Sequence, residues 1–112
     1  MNKVVYNACF GGFSISAAAM KWLAENGREE IKAIAEEQLR KYPNETFGYH
    51  CTDIERHDPD LVRCVETLGS RANGRCANLE VRELNGNRYR IDEYDGSEEV
   101  FEPEDEEYVT IE

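Results

Sequence analysis

The stretch Cys9-Phe10-Gly11-Gly12-Phe13-Ser14 is the first place where this chain offers chemistry, because two glycines and a serine between a strand and a helix leave backbone amides unpaired. Such a bend can seat a phosphate or carboxylate, helped by the positive end of the helix dipole. GGFS lacks the full spacing of either common phosphate-binding fingerprint, and the plainer alternative is a turn that serine caps. A second group is Arg56-His57-Asp58, a guanidinium, an imidazole and a carboxylate side by side before a helix. It can orient a ligand or move a proton, or Asp58 can simply cap the helix while Arg56 and His57 face water.

Arginines form the third group. Arg71, Arg75, Arg82, Arg88 and Arg90 stand against only Glu80 and Glu83, a local excess of +3 between residues 71 and 90. They either grip a phosphorylated ligand or are satisfied by Glu80, Asp92 or the acidic end of the chain. The four cysteines, Cys9, Cys51, Cys64 and Cys76, contain no CxxC pair and follow no secretory leader, so reduced and mostly buried thiols are expected. His50-Cys51 with Cys9 would have to meet in space to make an activated nucleophile, and no spacing enforces that. Structural zinc favours closely spaced ligand pairs, so no metal is expected, nor any cofactor.

Charge sets the outer limits. The formal net charge is -11 over 112 residues, and all of it lies in residues 92 to 112, where 11 acids follow the last basic residue, Arg90. The preceding 91 residues hold 13 acids and 13 bases, a formal balance of zero. Such a surface repels nucleic acid and anionic lipid, and no run is apolar enough for a membrane span. A basic protein partner, or a small anion in a shielded pocket, is the compatible alternative.

These groups must be positioned by elements that the pattern outlines. Val4 to Phe10 reads as a strand, followed by a helix capped by Ser14 or Ser16 that carries Ile15, Ala19, Trp22 and Leu23 and ends left-handed at Asn26-Gly27. Glu29 to Tyr42 reads as a second helix, with Ile31, Ile34, Ala35 and Leu39 on one side, Glu36–Arg40 and Glu37–Lys41 outside, and Pro43 as its stop. Phe47 to Thr52 fits a short strand. Asp58-Pro59 starts a third helix that buries Leu61, Cys64, Val65 and Leu68 and stops at Gly69.

After an Asn73-Gly74 turn, Ala77 to Tyr94 reads as a hairpin about Asn85-Gly86-Asn87, with Val81 opposite Ile91 and Arg82 opposite Arg90. Asp95-Gly96 turns the chain again, toward strands near Val100 and at Tyr108 to Ile111, with an acidic turn at Glu104 to Glu107 between them. The expected fold is one α+β domain over residues 1–112, with about three helices on one face of a mainly antiparallel sheet. The terminal strands are expected inside that sheet, and residues 92–112 form its acidic segment.

The blocks YNACFGGFSIS, RHDPDLV with VETLG, ANGRCANLEV and YRIDEYDG resemble a family of short uncharacterised bacteriophage proteins. The blocks run in the same order along nearly the whole chain, and residues 24 to 55 depart from the pattern. The resemblance implies a phage product in the cytoplasm of an infected bacterium, and carries with it no activity, cofactor or catalytic residue. Two expectations follow. In the first, a non-enzymatic protein binds a small anionic, nucleotide-like ligand through Asn7, Gly11, Gly12, Phe13, Ser14, Arg56, His57, Arg82, Arg90 and Tyr94, and sequesters it against host defence. In the second, Glu98, Glu99, Glu102, Glu104, Asp105, Glu106 and Glu107 imitate nucleic acid and block a host nucleic-acid-binding protein. An enzyme using His57 with Asp58 or Cys9 ranks last, and a homodimer with twofold symmetry is expected.

Overall fold

Local signals set the helices of the computed structural model, which describes residues 2–43, 48–50 and 53–103. Ser16 caps α1 (Ala17–Asn26) by accepting the Ala19 amide at 3.0 Å, which leaves Ala19, Met20 and Leu23 buried. The residue after α1, Gly27, is extended (φ -75°, ψ 164°) rather than left-handed. The correction has a simple cause: α2 (Glu29–Lys41) begins two residues later, so the chain must run on rather than curl back. On the outside of α2, Glu37 reaches both Lys41 at 3.3 Å and Arg40 at 4.0 Å, so Arg40 pairs with Glu37 and not with Glu36. Asp58 caps α3 (Pro59–Leu68) by accepting the Asp60 amide at 2.8 Å, and Gly69, with φ at 58°, ends it in a single 3-10 turn, Gly69–Ala72.

The strands make two separate ribbons in place of one sheet. β1 (Lys3–Asn7) pairs antiparallel with β2 (Leu79–Glu83), setting Val5 opposite Val81 and Val4 opposite Arg82. β3 (Arg90–Tyr94) pairs antiparallel with β4 (Ser97–Phe101), setting Ile91 opposite Val100 and Arg90 opposite Phe101. The hairpin expected about Asn85-Gly86-Asn87 is therefore not formed. Two physical reasons are visible. Val4 and Val5 offer β2 a β-branched partner, and Asp95-Gly96 provides the two-residue loop with positive φ at both positions (53° and 91°) that suits the twist of a hairpin. The strand at Phe47 to Thr52 reduces, within the described residues, to an isolated bridge between Tyr49 and Ile15, while Tyr108 to Ile111 lies outside them.

The β1–β2 ribbon is apolar on both faces. Val5, Leu79 and Val81 look toward the helices and join the main core of Ile15, Met20, Leu23, Leu61 and Cys64. Val4, Tyr6 and Leu84 look the other way, toward Tyr89, Ile91 and Val100. The fold is α+β, and the ribbon is a middle layer between the helices and the β3–β4 hairpin. β1 is also not flanked by strands on both sides: beyond β2, its other edge meets the Arg56 carbonyl, which accepts the Val5 amide at 2.9 Å, and the Glu98 carboxylate, which accepts the Asn7 amide at 2.8 Å. No helix among the described residues is long and apolar enough to cross a membrane.

Candidate functional site

The Gly11-Gly12 bend lies five residues or more ahead of α1, so its amides are not the orphan amides of a helix start. Phe13 to Ser16 intervene, and there Ile15 bridges to Tyr49 and Asn73. Two other turns pack on the bend. A Cβ on Gly11 would fall 1.8 Å from the Cys76 carbonyl oxygen, and one on Gly96, at the hairpin tip, would fall 2.3 Å from the Phe10 carbonyl and 2.6 Å from the Gly12 nitrogen. Gly11 serves this close packing, whereas Gly12 is required by its positive φ of 91°, and the Gly96 tip packed against the Gly12 nitrogen crowds the expected anion seat. Ser14 is buried against Gly74, where an added Cβ would lie 1.8 Å from its Oγ.

The expected ligand-binding groups do meet partners, but internal ones. Asn7 is fully buried: its Nδ2 donates to the carbonyls of Cys9 at 2.7 Å and Gly96 at 2.8 Å, and its Oδ1 accepts the Asn78 amide at 2.8 Å. Arg56 lies 3.6 Å over the buried Phe13 ring and donates through both Nη atoms to Glu98, at 2.7 and 2.8 Å. Arg82 donates to Glu102 at 3.3 Å and to the Val100 carbonyl, and Arg90 donates to Asp92 at 3.1 Å while lying over Phe101. Arg82 and Arg90 sit on different ribbons and do not face each other. For Arg82 and Arg90 the alternative reading, satisfaction by the acidic end and by Asp92, is the one realised.

The proton-transfer groups separate as well. His57 Nδ1 meets the Tyr89 hydroxyl at 2.8 Å, whereas Asp58 is engaged by the α3 cap and by Arg28 at 2.8 Å. Burial, with nearby Glu55, pushes the Tyr89 phenol above its ordinary pKa, against the opposing effect of Arg56. Cys9 Sγ donates to the Cys76 carbonyl at 2.9 Å, His50 Nδ1 contacts the Phe13 carbonyl at 3.2 Å, and Cys51 lies outside the described residues. No Cys–His or His–Asp pair is formed among the described residues.

The outer face of the β3–β4 hairpin is open to a partner. Strand alternation sends Ile91, Glu98 and Val100 inward and Asp92, Tyr94 and Glu99 outward. Asp92 stands directly opposite Glu99, Asp95 is exposed in the turn beside them, and Tyr94 is 78% exposed, whereas Glu93, also exposed, falls with Ile91 on the face of Glu98 and accepts the Gly96 amide at 2.7 Å. Phe10, 70% exposed, lies on the bend against which the hairpin tip packs. Of the acids expected to meet a partner, only Glu99 is available among the described residues; Glu98 and Glu102 are 7% and 1% exposed, and Glu104, Asp105, Glu106 and Glu107 lie outside them. Phe10, Asp92 and Asp95 were missed as contact residues, although the period of two in RIDEY is the signal that separates Asp92 and Tyr94 from Ile91.

Comparison of the chain with protein-family models, with curated proteins and with solved structures returns no match. Function is therefore argued from the site itself.

Proposed function

We propose that this chain is a non-enzymatic phage protein of the infected cell's cytoplasm whose acidic hairpin imitates nucleic acid and occupies the basic surface of a host nucleic-acid-binding protein. One observation carries the reading: Asp92 and Glu99 are held opposite each other on an exposed face that runs on to Asp95 in the turn, with the exposed Arg90 reaching Asp92 at 3.1 Å as the cation beside them. Like charges across a ribbon oppose folding of the isolated chain and are relieved by a cationic partner. Tyr94 and Phe10 add the aromatic surface that anchors protein interfaces. The sequence continues the charge with Glu104, Asp105, Glu106 and Glu107.

The test is competition. A fluorescent DNA duplex bound to each of a panel of purified bacterial DNA-binding proteins is titrated with this chain and with an Asp92→Asn/Glu99→Gln variant. The expected result is displacement from at least one member of the panel, weakening steeply as salt is raised and reduced in the variant. Failure to displace DNA from any of them at low salt would overturn the proposal.

A second reading, sequestration of a small anionic, nucleotide-like ligand, is favoured by a cleft of about 240 Å³ lined by Arg88, Tyr89, Arg90, Phe101, Glu102 and Pro103. It brings two guanidinium groups beside two aromatic rings, the chemistry of phosphate and base recognition, and it lies away from the glycine bend. Calorimetry against cyclic and linear nucleotides, with Arg88→Ala as control, tests it. Absence of heat with every nucleotide would dismiss it.

A further inference from the structure

The far edge of β2 has a hydrogen-bonding phase that the surrounding contacts determine. Outside the strands proper, the Ala8 amide donates to the Asn78 carbonyl at 2.8 Å and the Leu84 amide to the Asn2 carbonyl at 2.8 Å, so even-numbered residues of β1 and β2 exchange the bonds of the ladder. Odd-numbered residues point away from it. Val5 and Asn7 spend their outward amides on the Arg56 carbonyl and the Glu98 carboxylate, and Leu79 gives its own to Asn73 Oδ1 at 2.9 Å. Val81 and Glu83 point outward in the same way, and among the described residues no group meets their amides or carbonyls, nor the Leu79 carbonyl. An open edge of this kind is a template for another strand.

We propose that the strand it takes is β2 of a second copy, antiparallel, about a twofold axis through Val81, giving a sheet in the order β1–β2–β2–β1. The argument is charge complementarity. With the axis at Val81, Glu80 falls opposite the partner's Arg82 and Arg82 opposite the partner's Glu80, so both cross-strand pairs are attractive. An axis at Arg82 or at Glu83 would instead place like charges directly across from each other. The Val81 amide and carbonyl bond their counterparts in the partner, and each Glu83 amide reaches the Leu79 carbonyl of the other copy. Arg82 is one-third exposed and keeps Glu102 and the Val100 carbonyl as its internal partners, and the exposed Glu80 accepts the Tyr6 hydroxyl through Oε2 at 2.8 Å, so the cross-strand pairs add to these contacts. The interface is isologous, as twofold symmetry requires.

Sedimentation equilibrium of the full chain, with amide hydrogen exchange at two concentrations, tests this. The expected result is a monomer–dimer equilibrium that tightens with added salt, because each copy carries a net charge of -11 and screening reduces their repulsion. Above the dissociation constant the Val81 and Glu83 amides exchange slowly, and on dilution they become fast, while those of Glu80 and Arg82 stay slow throughout. Glu80→Lys places like charges opposite Arg82 and weakens the dimer by roughly 10- to 100-fold. Val81→Pro removes an outward amide without touching the ladder and weakens it by about 100-fold; circular dichroism verifies the fold, and Glu80→Lys decides the matter if Val81→Pro does not fold. A chain that stays monomeric at every concentration, or a dimer indifferent to Glu80→Lys, would overturn the proposal.

Discussion

The two faces of the β3–β4 hairpin carry the same residue types and put them to opposite uses. On the inner face Glu98 and Glu102 flank buried Val100, and each is held by an arginine and by backbone amides: Glu98 by Arg56 and the Asn7 amide, Glu102 by Arg82 and the amides of Asn85 and Gly86. On the outer face Asp92 and Glu99 oppose each other in water, where Asp92 meets only the exposed Arg90 and Glu99 no cation among the described residues. A buried carboxylate is unfavourable unless a cation and hydrogen-bond donors replace its hydration, and the inner acids have both. Within β4 the strand's period of two, rather than acidity itself, separates Glu98, which fastens the hairpin to the body, from Glu99, which is left for a partner.

Removing an inner acid should give the largest effect. Glu98→Ala leaves the Arg56 guanidinium, three-quarters buried over Phe13, without its bidentate partner and the Asn7 amide without an acceptor. A loss of about 3 kcal/mol is expected in urea denaturation, toward the low end for a broken buried pair because Arg56 keeps some contact with water. If Glu98→Ala unfolded at the same urea concentration as wild type, the distinction between inner and outer acids would collapse. Next comes the contact that presses the hairpin tip on the glycine bend. Gly96→Ala meets both a positive φ of 91° and the Phe10 carbonyl, and should lower stability by about 2–3 kcal/mol.

The sequence makes the helices legible because their signals are local: Ser16, Asp58-Pro59 and Gly69 act within one turn of the residues that carry them. Strand pairing is not legible in that way. Val4, Val81, Ile91 and Val100 all fit a half-buried strand, and the choice among partners depends on contacts that meet only in three dimensions. The pattern sets Val81 opposite Ile91, but the strand Val81 meets is β1, at the other end of the chain. The site fails for the same reason. Arg56 and Arg82 show their charge in the sequence, whereas their acids lie 42 and 20 residues away. The glycine bend is recognisable as a bend, yet the turns that crowd it come from Cys76 and Gly96.

Cys64 sharpens the comparison from another side, as a buried acid that has no cation beside it. Its thiol reaches only the Ala19 carbonyl at 3.5 Å, and burial pushes its pKa from an ordinary 9 up to about 12. The protonated thiol is favoured in the folded chain, so its stabilising effect is complete below pH 9 and is lost as pH rises from 9 toward 12. The Tyr6 and Tyr89 phenols, also raised by burial, add losses of the same sign. Between pH 8 and pH 10 the Cys64 contribution should fall by roughly 1.4 kcal/mol, and Cys64→Ala should flatten that part of the stability profile. An unchanged slope in Cys64→Ala would assign the alkaline loss to the tyrosines and to Lys3, whose amine pKa Glu66 also raises.

The smallest effect on stability is expected where the proposed function is concentrated. Asp92→Asn and Glu99→Gln each remove one member of a like-charge cross-strand pair, so each should raise stability by about 0.2–1 kcal/mol, the reverse of Glu98→Ala on the same ribbon. Asp92→Asn should fall at the lower end, because the carboxylate it removes also accepts from Arg90 at 3.1 Å in an exposed ion pair. Glu99→Gln is thus the cleaner probe. A chain that folds more tightly yet displaces DNA from its partner less well would separate stability from binding at a single residue, as a surface kept acidic for an external cation should. If Glu99→Gln lost stability as Glu98→Ala does, Glu99 would belong with the inner acids, and the outer face would lose its claim to be a binding surface.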